Sequence, residues 1–165
     1  MILVSVGTNE QPFDRLVAAA GALVGSEPVI IQRGSSALQP AFADCREFLP
    51  FEEIEQLVRQ SRAFICHAGV GSVGVALRLG RRPIVMARRH QLGEAVDDHQ
   101  VPFARRLASA GLVTLVDDVP GLVQALRGDV TATPWVGGAA TPLALVLRGY
   151  LEVEAGVRQA LARTA

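Results

Sequence analysis

The sequence contains no lysine and few aromatic residues. All 16 basic residues are arginine, and 16 acidic residues balance them, so the formal net charge is zero. A neutral chain argues against nucleic-acid binding, because proteins of that class usually carry a basic surface. The absence of lysine indicates a composition bias, although arginine does suit the recognition of anions.

Cysteines and long apolar runs are also scarce. Cys45 and Cys66 form neither a CxxC pair nor a disulfide-like framework, and each is expected to be a buried free thiol beside a strand. No apolar run approaches the roughly 20 residues that span a bilayer, and Met1 leads directly into an apolar strand rather than a signal peptide. We therefore expect a cytoplasmic protein.

Apolar runs and helical periodicities alternate along the 165 residues. Strands are predicted at 2–6, 28–32, 45–49, 63–66, 83–87 and 112–116. Helices are predicted at 11–24, 51–61, from residue 72 to 79, at 95–110 and at 119–126. This alternation predicts an α/β fold with a doubly wound parallel sheet, in a single Rossmann-like domain over 1–127.

The last part of the chain has a different composition. Residues 128–141 are rich in glycine, threonine and proline and are predicted to be a connector. Residues 142–165 are predicted to form a C-terminal helix with one apolar stripe. That helix either packs back on the domain or docks a partner chain.

The segment from Phe64 to Gln100 carries the most informative pattern. A predicted strand leads into His67 and then into the glycine-rich turn Ala68-Gly69-Val70-Gly71-Ser72, which opens an apolar helix. Glycines let the backbone approach an anion closely, and a helix N-terminus presents free N–H groups with a partial positive charge. The pattern therefore predicts a phosphate-binding turn. The loop Gly7-Thr8-Asn9 follows the first strand and should lie at the same edge of the sheet.

Three motifs occur in order, VSVGTNEQPFDRLV, HAGVGSVGVALRLGRRPIV and GEAVDDHQ. With them the chain resembles the glycosyltransferase family 28 C-terminal domain over about residues 2 to 127. The likeness is greatest to the PssE-type small subunits of two-chain GT-B glycosyltransferases in bacterial exopolysaccharide synthesis. It extends to the eukaryotic subunit that, with a membrane-bound partner, adds the second N-acetylglucosamine to a dolichol-linked sugar.

The resemblance implies the donor-binding half of a GT-B enzyme. Such a chain binds a UDP-sugar and moves a hexose-type sugar onto a lipid-linked acceptor. A membrane-associated partner chain binds the acceptor and supplies the general base, so the chain alone is expected to be inactive. Through that partner, the chain is expected to be peripheral to the inner face of the membrane. No cofactor and no metal at the diphosphate are implied, and no catalytic residue is assigned in this chain.

The resemblance also implies roles for individual residues. His67 would reach the donor diphosphate, which the turn would hold through backbone N–H groups and one hydroxyl. The implied diphosphate contacts are Gly7, Thr8, Asn9, His67, Gly69, Val70, Gly71 and Ser72. Asn9 stands where PssE-type chains often carry histidine. A tight strand–helix turn is the alternative explanation of residues 69–72 and is compatible with the phosphate contact, and Ser72 is also a candidate N-cap.

Two further groups are implied to contact the donor. Asp98, His99 and Gln100 resemble the segment that binds the donor-sugar hydroxyls, although acidic residues at a solvated helix start explain them equally simply. Phe48, Leu49 and Phe51 stand where related enzymes hold the uracil ring, and core packing is the alternative. A metal site at residues 97–99 is disfavoured, because adjacent helical residues do not converge on one ion.

Arg88 and Arg89 are candidate anion contacts, for a sugar carboxylate or an acceptor phosphate, or else a solvated pair. Val75 departs from the family pattern, since related enzymes usually carry there an acidic residue that binds the ribose hydroxyls. Val75 keeps open a non-catalytic assembly or regulatory subunit of the same fold. A dinucleotide-binding protein is disfavoured, because the first strand leads to VGTN and no acidic residue ends the second strand at Gln32-Arg33.

Overall fold

The computed structural model describes residues 1–23, 25 and 27–128, in which strands and helices alternate. The strands are β1 (Ile2–Ser5), β2 (Val29–Gln32), β3 (Asp44–Arg46), β4 (Ala63–His67), β5 (Ile84–Met86) and β6 (Thr114–Leu115). The α-helices are α1 (Asp14–Gly21), α2 (Phe51–Gln60), α3 (Val70–Arg78), α4 (Gln100–Ser109) and α5 (Val119–Arg127). A short 3-10 helix spans His90–Leu92.

All strand pairs in this sheet are parallel, and the spatial order is β3-β2-β1-β4-β5-β6. The doubly wound α/β fold is therefore confirmed. β1 lies between β2 and β4, with Ile2 opposite Val29 on one side and Ala63 on the other. The chain changes winding direction between β1 and β4, and crevices for ligands form beyond the carboxyl ends of the strands at such a point.

The sheet is covered on both faces by helices, as its near-continuous apolar strands predict. Ile2 and Val4 of β1 face the layer formed by α1 and α5, with Leu16 and Leu122 fully buried against them. Leu3 faces the other layer. The buried helical side chains of that second layer include Val58 of α2, Val73 of α3 and Leu107 of α4.

Two helices begin later than the sequence predicts, because side-chain oxygens accept hydrogen bonds from backbone N–H groups of the preceding loops. α1 starts at Asp14 rather than Gln11, since the Phe13 N–H donates to the Ser36 hydroxyl at 2.9 Å. α4 starts at Gln100 rather than residue 95. The Asp98 carboxylate accepts from the His90 N–H at 2.8 Å, and such local bonds compete with helix formation.

Other predicted features are partly confirmed. Cys66 is buried in β4, as predicted, whereas Cys45 in β3 is only partly buried, and desolvation raises the pKa of both thiols. Among the helices that the structure describes, none combines the length and apolar character needed to cross a bilayer. The predicted connector beyond Gly128 and the predicted C-terminal helix lie outside the described residues, so the domain division remains a prediction.

Candidate functional site

A cleft of about 390 Å³ opens at the carboxyl ends of β1, β2 and β4. Its volume falls in the range typical of small-molecule sites. It is lined by Ser5, Gly7, Thr8, Gln32, Phe48, Leu49, Phe51, Ile54, His67, Gly71, Ser72 and Val75. The glycine-rich turn, the loop after the first strand and the segment expected to hold uracil therefore share one cavity.

The imidazole of His67 is packed between two glycines. A Cβ on Gly7 would lie 2.8 Å from the His67 Nε2 atom, and a Cβ on Gly69 would lie 2.8 Å from its Cδ2 atom. Gly7 also has φ of +80°, a conformation that L side chains rarely adopt. Both glycines are therefore required by the position of the ring at the inner wall of the cleft.

His67 is held in its neutral form. Burial and the nearby positive charge of Arg88 lower the pKa of His67 to about 4, against a weak opposing effect of the Ser5 backbone. The Nδ1 atom is buried and makes no hydrogen bond within the described residues. At neutral pH the ring can therefore present one N–H donor and one acceptor nitrogen.

The N-terminus of α3 opens onto the same cleft without a side-chain cap. Its N-cap is Gly69, in an extended conformation with φ −93° and ψ 137°. Ser72 is the third residue of the helix, so its alternative role as the N-cap is wrong. A Cβ on Gly71 would meet no protein atom within 4 Å. The first turn of α3 thus has uncapped N–H groups beside open space, the arrangement that binds anions.

The opposite end of the cleft is apolar. Phe48 and Phe51 are 61% and 51% exposed, so core packing does not explain them, whereas Leu49 at 1% is a core residue that also lines the cleft. Val75 is 7% exposed. None of the described residues that line the cleft carries a carboxylate. Among the polar lining groups, the Ser5 hydroxyl donates to the Gln32 amide oxygen at 2.9 Å.

Asn9 lies outside this cleft, in a smaller recess of about 150 Å³ that Gly34, Ser35 and Glu47 also line. Its side-chain oxygen accepts a hydrogen bond from the Gln11 N–H at 2.9 Å. Gly7 and Thr8 border both cavities. The loop therefore reaches the main cleft through Gly7 and Thr8, while the Asn9 side chain stabilises the turn before α1.

The predicted donor-sugar residues are not in the main cleft either. Asp98 lines a second cleft of about 340 Å³, together with Arg89, Arg105 and Asp117, and the two clefts have no lining residue in common. His99 is exposed, and its imidazole contacts the Asp97 carboxylate. Gln100 is buried, and its amide oxygen accepts from the Arg88 N–H at 3.3 Å.

Arg88 and Arg89 do not form an exposed pair. Arg89 is exposed and makes a salt bridge with Asp117 at 2.7 Å. Arg88 has no solvent exposure, and its guanidinium donates to the main-chain oxygens of Val6, Gln11, Pro12 and Glu94. The expectation of a surface anion contact therefore does not hold for Arg88.

Sequence reasoning missed the ion pair behind these loops. Arg15 of α1 makes a two-pronged salt bridge with Glu94, through 2.9 Å and 2.8 Å hydrogen bonds, and Glu94 is 5% exposed. The two residues are 79 positions apart, so no local pattern could reveal the pairing. Across the described residues, no group of three or more histidine, cysteine, aspartate or glutamate side chains resembles a metal site.

A solved structure of a glycosyltransferase has the same fold. The crystal structure of the glycotransferase of kitacinnamycin matches with a TM-score of 0.54 at 16% identity, over 91% of this chain and 38% of that one. The glycosyltransferase SnogD from Streptomyces nogalater matches with a TM-score of 0.47 at 17% identity, over 76% of this chain and 37% of that one. The chain therefore spans well under half the length of either enzyme. No curated protein matches.

The family model of the glycosyltransferase family 28 C-terminal domain matches residues 1–131, which include every element of the described sheet. The resemblance expected from the three motifs is thereby confirmed at the level of the family. The likeness to PssE-type subunits remains a prediction. This chain belongs to the glycosyltransferase family 28 C-terminal domain family.

Proposed function

We propose that this chain is the donor-binding half of a GT-B glycosyltransferase and that its main cleft binds a UDP-sugar. A partner chain at the inner face of the membrane would bind a lipid-linked acceptor and complete the active site. The sugar moved is a hexose-type sugar, in exopolysaccharide or glycolipid synthesis. The chain is inactive without that partner.

One observation carries the proposal: the uncapped N-terminus of α3, His67 and the Gly7-Thr8 loop converge on one cleft whose other end is lined by exposed aromatic rings. The α3 N-terminus, His67 and the Gly7-Thr8 loop are suited to a diphosphate, because N–H groups and a helix N-terminus favour negative charge. The rings of Phe48 and Phe51 are suited to a flat base. A nucleoside diphosphate has a diphosphate at one end and a flat base at the other.

The chemistry would be direct displacement at the anomeric carbon of the donor. The acceptor hydroxyl oxygen forms the new glycosidic bond as the bond between that carbon and the diphosphate breaks. UDP leaves with the bonding electron pair, and the hydroxyl proton passes to a base on the partner chain. In this chain the α3 N-terminus and the His67 N–H would stabilise the negative charge that develops on the leaving diphosphate.

Calorimetric titration with UDP, UDP-sugars and NAD tests the proposal. We expect the purified chain to bind UDP and to bind NAD more weakly or not at all. His67→Ala should weaken UDP binding about tenfold or more, the value of a hydrogen bond to a charged group. His90→Ala, which removes an exposed histidine outside the cleft, is the matched control and should bind UDP like the wild type. Absence of UDP binding by the wild type, alone and with a partner chain, would contradict the proposal.

Val75 supports a second candidate, a non-catalytic assembly or regulatory subunit of the same fold. A valine cannot accept hydrogen bonds from the ribose hydroxyls, and within residues 1–23, 25 and 27–128 no lining residue of the cleft supplies a carboxylate. If this candidate is correct, the cleft has no specific affinity for nucleotides.

The substitution Val75→Glu separates the two candidates. In a donor-binding chain the new carboxylate should accept hydrogen bonds from the ribose, so UDP binding should tighten by about tenfold and dUDP binding should tighten less. Val73→Glu is unsuitable as a control because Val73 is fully buried, and Gln56→Glu, which adds a carboxylate at an exposed position of α2 outside the cleft lining, is suitable instead. If neither nucleotide binds to either protein, the non-catalytic candidate is favoured.

A further inference from the structure

A buried cluster of charges lies behind the main cleft and carries an excess of positive charge. It contains two guanidinium groups, of Arg15 and Arg88, and one carboxylate, of Glu94. That carboxylate makes both of its short side-chain contacts with Arg15. Within the described residues, the guanidinium of Arg88 donates to main-chain oxygens, and it lies over the Phe13 ring, 4.7 Å from its centroid.

Burying a charge that is not fully compensated costs several kcal/mol. The Glu94 carboxylate acts on Arg88 as well as on its hydrogen-bonded partner Arg15, so the charge of the fully buried Arg88 is only partly compensated. Burial also lowers the pKa of Arg88 to about 10, which leaves the guanidinium charged at neutral pH. Its Nε–H group is buried and has no hydrogen-bond partner within the described part of the chain. The same is true of the Nδ1 atom of His67.

The contacts of Arg88 join the segments that surround the cleft. One Nη atom donates to the Val6 carbonyl at 2.8 Å, directly before Gly7, and the other donates to the Gln11 carbonyl at 2.8 Å. The second Nη atom also donates to the Glu94 carbonyl at 2.7 Å, in the loop that precedes α4. A planar guanidinium can make these divergent bonds at the same time, whereas a single ammonium is poorly shaped for them.

We propose that Arg88 is a positioning residue for the donor diphosphate: it fixes the Gly7-Thr8 loop against the loop before α4, and its buried charge lies behind His67 and favours an anion in the cleft. This inference rests on the proposed function and deepens it, because it names the source of positive potential at the site. A bound diphosphate supplies the negative charge that the cluster of Arg15, Glu94 and Arg88 lacks. Arg88 acts through the loops that it hydrogen-bonds and through the electrostatic potential of its charge, without contacting the donor.

The test compares ligands with and without phosphate. Arg88→Met should weaken UDP binding about tenfold or more while changing uridine binding less than about threefold, since only the diphosphate responds to the lost charge. Arg88→Lys keeps the charge and should recover part of the UDP affinity. Arg81 is a matched control: it also donates to two main-chain carbonyls, of Arg59 and Ser61, and Arg81→Met should leave both affinities unchanged.

A measurement on the wild type covers the case in which Arg88→Met does not fold. The buried Arg88 Nε–H proton should give an NMR signal protected from solvent exchange, and that signal should shift when UDP binds but not when uridine binds. An unmoved signal at saturating UDP, or equal loss of UDP and uridine affinity in Arg88→Met, would overturn the inference and leave the proposed function standing. Failure of the wild type to bind UDP would overturn both.

Discussion

The space around the His67 ring is the most sensitive feature at the scale of single residues. The ring touches the positions that a Cβ would occupy on Gly7 and on Gly69. Gly69 itself has an ordinary backbone conformation, so only the contact with the imidazole requires a glycine there. Gly71, two residues later, has open space around it. An added Cβ at Gly69 would therefore test contact with the imidazole, whereas an added Cβ at Gly71 would test the backbone alone.

We predict that Gly69→Ala displaces the His67 imidazole and weakens UDP binding about tenfold or more, because the displaced ring no longer presents its N–H to the diphosphate. Proton–nitrogen NMR of the histidine ring, together with UDP titration, measures both effects. Gly71→Ala should leave the ring signals unchanged and raise the free energy of unfolding by roughly 0.5–1 kcal/mol, since alanine is the better helix former. An unchanged His67 spectrum in Gly69→Ala would contradict the prediction.

At this scale the sequence predicts part of the site. Residues in the glycine-rich turn and in the Gly7-Thr8 loop were expected at one edge of the sheet, and both line the main cleft. The sequence does not predict that Arg88 is buried, because an Arg-Arg pair is usually exposed and its carbonyl partners are as many as 82 positions away. Partners of a buried charge depend on tertiary packing, and no local pattern encodes them.

At the scale of elements, the helices differ in how their N-termini are satisfied. α5 has an N-cap in Asp118, whose carboxylate accepts from the Gly121 N–H at 2.8 Å. α3 has no side-chain cap and begins at the cleft. A cap that a side chain supplies stabilises the free chain, whereas N–H groups left for a ligand stabilise only the complex.

Asp118→Ala should therefore lower the free energy of unfolding by about 1 kcal/mol, the usual contribution of an N-cap. UDP affinity should not change, because α5 does not line the main cleft. Urea unfolding and UDP titration of the same preparation check the two statements. Asp117→Ala, at the neighbouring exposed position, is the control for loss of a surface carboxylate. A loss of UDP affinity in Asp118→Ala alone would contradict this assignment of roles.

Element boundaries explain why the donor-sugar prediction was incomplete. Helical periodicity was expected from residue 95, and it placed residues 98–100 on the first turns of a helix. The structure has α4 beginning at Gln100, because Asp97 and Asp98 bond to nearby N–H groups instead. Asp98 consequently lies in the second cleft, and Gln100 is bonded to the Arg88 backbone. Their contact with a donor sugar remains a prediction.

At the scale of the whole molecule, the ionisation of His67 should make the free energy of unfolding depend on pH. The pKa of this residue is about 4 in the folded chain, and it should be about 6.5 in the unfolded chain. Between these values the unfolded chain binds a proton that the folded chain does not. The free energy of unfolding should therefore fall as the pH drops from 6.5 to 4, by at most about 1.4 kcal/mol per pH unit.

Urea unfolding at several pH values between 4.5 and 7 measures this slope. The His67→Gln protein should lack most of it. The carboxyl groups of Glu27 and Asp44 have a pKa lowered by the arginine partners Arg62 and Arg46. The stability that they contribute is lost mainly at and below their ordinary pKa values near 4, largely outside this window. An equal slope in wild type and His67→Gln would contradict the assignment.

The central position of β1 in the sheet determines when the main cleft forms during folding. The main cleft takes residues from β1 and from both of its neighbours, from the loop before α2 and from α3, so it forms only when β1 is paired on both sides. The native sheet must be assembled before a nucleotide has anywhere to bind. UDP should then act as a reporter of complete folding, adding about 2.7 kcal/mol to the free energy of unfolding at a hundredfold excess over its Kd. A truncated or circularly permuted chain that retains this stabilisation would have re-formed at least the β2-β1-β4 part of the sheet.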